Sequence, residues 1–152
     1  MANQLHGKGT SVSQHMEALY ETYGHFVSRQ GYVTVPDPKL TVEIFDKLRS
    51  NGQYPTEVNG FKIAHVRDLT VGYDTSTTDN KTTLPASTAS QHLTFTFANG
   101  CVANLRGSGT EPKLKFYVEL HGPDKNEVRL SASPLNNSVA NPPVSSCTRL
   151  HA

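Results

Sequence analysis

Residues 92–120 read HLTFTFANGCVANLRGSGTEPKLKFYVEL. Leu93, Phe95 and Phe97 alternate with His92, Thr94 and Thr96, a period of two that belongs to a half-buried strand. Asn99-Gly100 then offers two residues that tolerate positive φ, which predicts a type I′ hairpin turn before residues 101–106 return as a second strand. Beyond the loop of residues 107–113 the alternation resumes. Leu114, Phe116, Val118 and Leu120 face one way, and Lys115, Tyr117, Glu119 and His121 the other. Three successive ribbons with one apolar and one polar face imply an antiparallel sheet with one side in a core and the other in water.

Working outward, residues 61–67 alternate with Phe61 and Ile63 on one face, which adds a fourth strand. Asp37 followed by Pro38 reads as an N-cap and first helical residue, and Leu40, Ile44, Phe45 and Leu48 mark one helical face until Asn51-Gly52 ends it. This helix is free to cover one side of the sheet. The expected architecture is α+β, a four-stranded antiparallel sheet with helix packing on one face. Further upstream, Ser11 and Gln14 have capping-box spacing ahead of a helix through Val12, Met16, Leu19, Tyr20 and Tyr23, which Gly24 ends. Residues 25–35, rich in β-branched and aromatic side chains, read as a strand stopped by Pro36. Residues 1–7 read as the last turn of a helix. Residues 72–90 are too polar to be anything but a long loop, with Asp74 and Asp79 expected in solvent. Residues 131–152, rich in Ser, Asn and Pro, have too little apolar content to offset ordering entropy and are expected to stay disordered.

The whole chain sets the bounds. Its 152 residues suffice for one modest core. Fourteen basic and thirteen acidic residues leave a formal charge of +1, so no broad field attracts nucleic acid or an anionic membrane surface, and any anion site must be local. No stretch approaches the roughly 20 apolar residues of a membrane span. The opening residues lack a secretory signal's apolar segment, and Cys101 and Cys147 are far apart without CxxC spacing, so free thiols and a cytoplasmic location are expected. The seven histidines show no zinc-site spacing, and no metal site or catalytic residue is expected.

The loop after Arg106 is where an anion would bind. Gly107 and Gly109 permit close backbone approach and unusual dihedrals, so successive N–H groups are able to converge as a nest. Ser108 and Thr110 add hydroxyls. Arg106 offers a planar fork for phosphate oxygens, and Lys115, on the polar face of the next strand, a second charge. Glu111, Pro112 and Lys113 support the loop, with Pro112 restricting its exit and Glu111 read as fixing the loop and not as a general base. The alternative on composition alone is a Gly-rich hairpin loop whose hydroxyls satisfy their own backbone. The segment is no P-loop, because Gly-x-x-x-x-Gly-Lys is absent, and no dinucleotide fingerprint, because Pro112 stands where the third glycine would be.

RGSGTEPKLKFY, residues 106–117, closely resembles the R-x-S-G-T-E-P signature in the last domain of the α-D-phosphohexomutases. The resemblance extends through IAHVRDLTVGYDTSTTDNK and the quoted stretch and looks strongest toward the eukaryotic phosphopentomutase and glucose-1,6-bisphosphate synthase branch. It covers roughly residues 1–123. It implies a TATA-binding-protein-like last domain over residues 37–123, preceded by the end of another domain at residues 1–36 and followed by a tail at residues 124–152. It also implies that Arg106, Ser108, Gly109 and Thr110 grip the phosphate of a sugar phosphate or bisphosphate that is not being transferred. Lys115 stands where many members have a second arginine, keeping the charge but not the bidentate geometry.

The family's chemistry requires a nucleophilic serine in a T-A-S-H-N-P-like loop, a D-x-D-x-D-R magnesium loop and a sugar-reading G-E-E-x loop, none of which is present. Thr88-Ala89-Ser90-Gln91-His92 lacks the Asn-Pro that should follow and reads as a loop hydroxyl. The expected function is thus the phosphate-binding part of a phosphopentomutase- or phosphoglucomutase-like intramolecular phosphotransferase of carbohydrate metabolism, not catalytic alone. Magnesium is implied for the complete enzyme, whose other domains are implied partners. A free-standing phosphosugar-binding module and an interaction domain with an exposed sheet are the alternatives.

Overall fold

The computed structural model describes Gly7 and residues 9–122. The helix end expected at residues 1–7, Gly7 apart, and the disorder expected over residues 124–152 lie outside the described residues.

Helix α1 (Val12–Tyr23) opens with the capping box: the Gln14 N–H donates to Ser11 Oγ at 3.1 Å and the Ser11 N–H to Gln14 Oε1 at 2.8 Å. It ends where Gly24 takes φ 81° and donates its N–H to the Tyr20 carbonyl. Strand β1 (His25–Thr34) follows, then helix α2 (Pro38–Arg49), whose N-cap Asp37 accepts from the Lys39 N–H at 2.9 Å. A short 3-10 turn (Ser50–Gly52) ends α2 with Ser50 and Asn51 both left-handed. The remaining elements are β2 (Glu57–Val58), β3 (Phe61–Asp68), β4 (Tyr73–Asp74), β5 (His92–Phe97), β6 (Val102–Gly107) and β7 (Lys113–Gly122).

The fold is α+β, as expected, but the antiparallel sheet has seven strands and not four. They run in the order β1-β7-β6-β5-β3-β2, with β4 also paired to β3. β2 and β4 are two residues each, too short for any alternation to show. β1, expected to lie ahead of the sheet, is hydrogen-bonded to β7 along its length, from His25 opposite Gly122 to Thr34 opposite Lys113. The turn chemistry also differs from expectation. Between β5 and β6 only Gly100 has positive φ: the Phe97 N–H bonds to the Cys101 carbonyl while the Gly100 N–H returns to Phe97, a three-residue loop closed by a left-handed glycine in place of a type I′ turn. The two-residue turn with positive φ at both positions is Asn59-Gly60, joining β2 to β3.

One sheet face carries Val66, Leu93, Phe95, Ala103, Leu114, Val118 and Leu120, all buried, with the fully buried Phe45 of α2 packed over them. Ile44 and Leu48 pack beside Phe45, whereas Leu40 stays exposed. Burying side chains of this size contributes roughly 1.5–3 kcal/mol each, so this layer dominates the fold's stability. Gly31 of β1 faces the Phe116 ring, which occupies the space a side chain would fill. The opposite face is polar. Its cross-strand rows are His92–Arg106–Lys115–Tyr32 and Arg67–Thr94–Asn104–Tyr117–Gln30.

The segment expected to be a featureless loop with Asp74 in solvent is instead anchored. Asp74 is 4% exposed. Its carboxylate accepts from Arg67 Nε at 2.8 Å, from the Ser76 N–H at 2.9 Å and from Ser76 Oγ at 2.6 Å. Burial alone would raise its pKa, but the bonds from Ser76 and Arg67 outweigh that and hold it below the usual carboxylate range. Sequence polarity could not reveal this, because the ion pair joins the loop to β3. Asp79 is exposed, as expected, and caps the Lys81 N–H.

Candidate phosphate-binding site

The β6–β7 connection, residues 108–112, is fastened at both ends before any ligand arrives. The Gly107 N–H donates to the Gln91 carbonyl at 2.9 Å, the Ser108 N–H to the Lys113 carbonyl at 2.9 Å, and the Val35 N–H to the Pro112 carbonyl at 2.8 Å. A third element reinforces this attachment. Arg49, from the last turn of α2, donates to the fully buried Asp68 at 2.6 Å and to Gln91 Oε1 at 2.7 Å. Tyr54 Oη and the Thr70 N–H complete the shell of Asp68, and burial, the Asp68 charge and that hydrogen bond together raise the Tyr54 pKa well above its ordinary value. A chain of bonds thus runs from Asp68 through Arg49 and Gln91 to Gly107.

These bonds narrow the expected nest. Gly107 and Ser108 have already committed their N–H groups, and neither Gly107 nor Gly109 has positive φ. The reason is local: Gly107 is the last residue of β6, not the first of the loop. Gly109 and Thr110 are exposed and, among the described residues, make no hydrogen bond of their own, and the Glu111 N–H is likewise uncommitted, so these three N–H groups are left for a ligand.

The charged groups separate by strand parity. Arg106 lies directly opposite Lys115 on β7 and His92 on β5, and all three share the open polar face. Glu111 takes both nearby lysines, Lys113 Nζ at 2.8 Å and Lys115 Nζ at 3.4 Å. These partners hold its carboxyl below the usual range. Lys113 also lies 4.5 Å from the centre of the Tyr32 ring. The Arg106 guanidinium forms no ion pair or hydrogen bond among the described residues. Among the described residues, Arg106 is thus an exposed cation without a counterion beside a fastened loop with unused donors.

Behind the loop, on the α2 side, is a cleft of about 230 Å³. Ser108, Glu111, Pro112 and Lys113 form one wall, Pro38, Thr41 and Val42 of the first turns of α2 another, and Thr88, Ala89, Ser90 and Gln91 a third. Arg106, Gly109, Thr110 and Lys115 do not line it. The arrangement therefore brings Arg106 and Lys115 together on the open face, places Ser108 and Lys113 at the cleft, and leaves Gly109 and Thr110 at the exposed tip. Sequence reasoning passed over residues 88–91 as neighbours of the loop. The β5–β6 register was the available signal, since a strand pairing His92 with Arg106 sets Gln91 beside Gly107.

No three His, Cys, Asp or Glu side chains converge among the described residues, so they offer no donor set for the magnesium that the family resemblance implies. Cys101 is a free, fully buried thiol whose pKa burial pushes up to about 11, which makes it inert. No helix among the described residues is long and apolar enough to cross a membrane.

No protein-family profile matches the chain. Curated proteins do. Glucose 1,6-bisphosphate synthase of Pongo abelii is 41% identical over 143 residues, covering 91% of this chain and 23% of that protein. Phosphopentomutase of Homo sapiens is 43% identical over 129 residues, covering 83% of this chain and 21% of that protein. A probable phosphoribomutase of Schizosaccharomyces pombe is 35% identical over 144 residues, covering 91% and 24%. The chain thus spans between a fifth and a quarter of the length of the curated relatives it matches.

Proposed function

Because this chain is homologous over most of its length to part of the phosphopentomutases and glucose 1,6-bisphosphate synthases, we propose that it is the phosphate-gripping part of an intramolecular phosphotransferase acting on sugar phosphates. The observation that carries the reading is Arg106, without an ion-pair or hydrogen-bond partner among the described residues, beside a loop already fastened by Gln91, Lys113 and Val35.

The chemistry asked of these residues is positioning. Arg106 presents a planar fork to two oxygens of a phosphate, and the Gly109 and Thr110 N–H groups and the Ser108 and Thr110 hydroxyls supply the remaining donors. Each charge-assisted bond contributes roughly 1.5–3 kcal/mol net, and a preorganised loop loses little of that to ordering. Holding the phosphate that does not react fixes the sugar's far end, so transfer at the other end becomes effectively unimolecular. The reacting groups, and any magnesium, would come from elsewhere in a complete enzyme. The one-sided helix cover supports the finer comparison with a TATA-binding-protein-like domain, which superposition on such a domain would test.

Titration of ribose 5-phosphate into the 152-residue chain tests the reading. The native chain should bind saturably without turnover, and Arg106→Ala should weaken binding about 10- to 100-fold, the net loss of one charge-assisted bond, with an unchanged thermal midpoint. Equal binding by the two proteins removes the assignment.

A further inference from the structure

We propose that His92 is a third ligand group of the Arg106 phosphate site, taking up a proton as a dianion settles between the two side chains. The inference rests on the phosphate-binding reading and adds to it a residue, a protonation state and a preference for doubly charged ligands. His92 and Arg106 are direct cross-strand partners on β5 and β6. Side chains in such pairs leave the same face with Cβ atoms about 4.5–5.5 Å apart, a span that one phosphate bridges.

The neighbours of His92 define what it needs. On β6 stand Arg106 and, two residues earlier on the same face, Asn104. On β3 stand Arg67, committed to Asp74, and Asp68, committed to Arg49 on the opposite face. On β7, beyond Arg106, lies Lys115, held by Glu111. The charge that faces His92 without a counterion is therefore Arg106. Half-burial and then that guanidinium hold the imidazole below its ordinary pKa, so without a ligand it is neutral at pH 7.

Asn104 supplies the second observation. Its Oδ1 is buried and has no hydrogen-bond partner among the described residues. Asn104 already lies close enough to favour the charged form of His92 as a hydrogen bond to the ring would, yet its Oδ1 receives no donor at full bonding geometry. A neutral imidazole has one N–H, and an imidazolium has two. Protonated His92 is therefore equipped to satisfy Asn104 Oδ1 with one nitrogen and a phosphate oxygen with the other. A dianion on Arg106 cancels the repulsion that keeps the ring neutral, so ligand and proton bind together.

The sign of the linkage follows. The ligand-bound His92 pKa lies above the ligand-free value, so affinity rises as pH falls through the bound value and levels off below the free one. Phosphate esters lose their second charge near pH 6, which would confuse the profile. Sulfate stays doubly charged throughout and isolates the protein's own titration.

The test is sulfate affinity of the full chain from pH 8 to pH 5.5, with the His92 ring followed by NMR. Native protein should tighten about tenfold as the pH falls, the change that one unit of linked pKa produces, with sulfate moving the His92 titration to higher pH. His92→Gln should lose the pH dependence, its sulfate affinity holding one value from pH 8 to pH 5.5. A His92→Gln profile that still steepens, or a His92 resonance indifferent to saturating sulfate, overturns the inference while leaving the Arg106 site standing. Sulfate binding indifferent to Arg106→Ala overturns both.

Discussion

Replacing Arg49 with methionine should destabilise the fold and slacken the phosphate loop together. The Arg49 side chain is 11% exposed and its partner Asp68 0%, with Nε to Oδ2 at 2.6 Å and Nη2 to Oδ1 at 3.3 Å. Methionine keeps an apolar stem but removes the guanidinium, whose carbon lies 5.8 Å from the centre of the Phe45 ring, and leaves the Asp68 carboxylate with Tyr54 Oη and the Thr70 N–H as its remaining donors among the described residues. Removing one partner of a buried pair costs about 3–5 kcal/mol, because the remaining charge is uncompensated. Against a typical domain stability of roughly 5–15 kcal/mol that loss is readily measured in a urea titration. Gln91 simultaneously loses the bond to its Oε1, and Gln91 is the residue whose carbonyl anchors Gly107. Phosphate affinity should therefore fall even at urea-free temperatures where the protein remains folded. Adding Asp68→Asn to Arg49→Met supplies the control: the neutral amide still accepts from the Thr70 N–H through Oδ1 and turns its Nδ2–H toward Tyr54 Oη, so at least half of the lost stability should return. A cost below about 1 kcal/mol for Arg49→Met, or no recovery in the double variant, would refute the claim that burial of the Asp68 charge governs this region.

Two further outcomes check the packing and the electrostatics. In Gly31→Val a Cβ would lie 2.5 Å from Phe116 Cζ, so the ring must leave its place; a loss of about 1–3 kcal/mol is expected. Adding Phe116→Leu should restore part of it, and additive losses in the thermal midpoint would argue against the contact. The depressed Asp74 pKa stabilises the fold above the unfolded carboxylate value of about 3.9, and that contribution is lost as pH falls through the lower folded value. Stability measured from pH 5 to pH 2 should accordingly fall less steeply in Asp74→Asn than in the native chain, and parallel curves would contradict the assignment.

The parts legible in the sequence are those whose signal is contained within one element. Alternation from Leu93 to Phe97 and from Leu114 to Leu120 gave β5 and β7, and Asp37-Pro38 with the Phe45 face gave α2. What escaped notice depends on pairing. Two Asn-Gly dipeptides occur, and propensity alone selected the wrong one for the two-residue turn. At Asn59-Gly60 the Val58–Phe61 register closes around both residues, whereas at Asn99-Gly100 the Phe97 to Cys101 bond encloses three. Asp74 looked solvated for the same reason, since its arginine arrives from β3. The polar-face position of Lys115 was legible from alternation, but its pairing with Arg106 was not, since counting outward from a loop of residues 107–113 sets Arg106 against Leu114. The spent N–H groups of Gly107 and Ser108 were not legible either, as their acceptors belong to Gln91 and Lys113.

Why Arg106 remains available, in a chain with nearly equal numbers of acids and bases, is a matter of where the carboxylates sit. Glu111 is in the loop and reaches the two lysines of β7, Lys113 and Lys115, and Asp74 and Asp68 are spent on Arg67 and Arg49. Arg106 is on β6, one strand further in, flanked by β5 and β7 neighbours that bring a histidine and a lysine and no acid. An incoming phosphate would meet a single uncommitted guanidinium first and would have to compete with Glu111 for Lys115. Lysine, a compact charge on a flexible stem, moves between two such acceptors at little cost, whereas the planar fork of Arg106 fixes direction. Under the proposed function, orientation at this site would fall to Arg106 and the fastened loop, and Lys115 would supply charge that the loop's own carboxylate holds until a stronger anion displaces it.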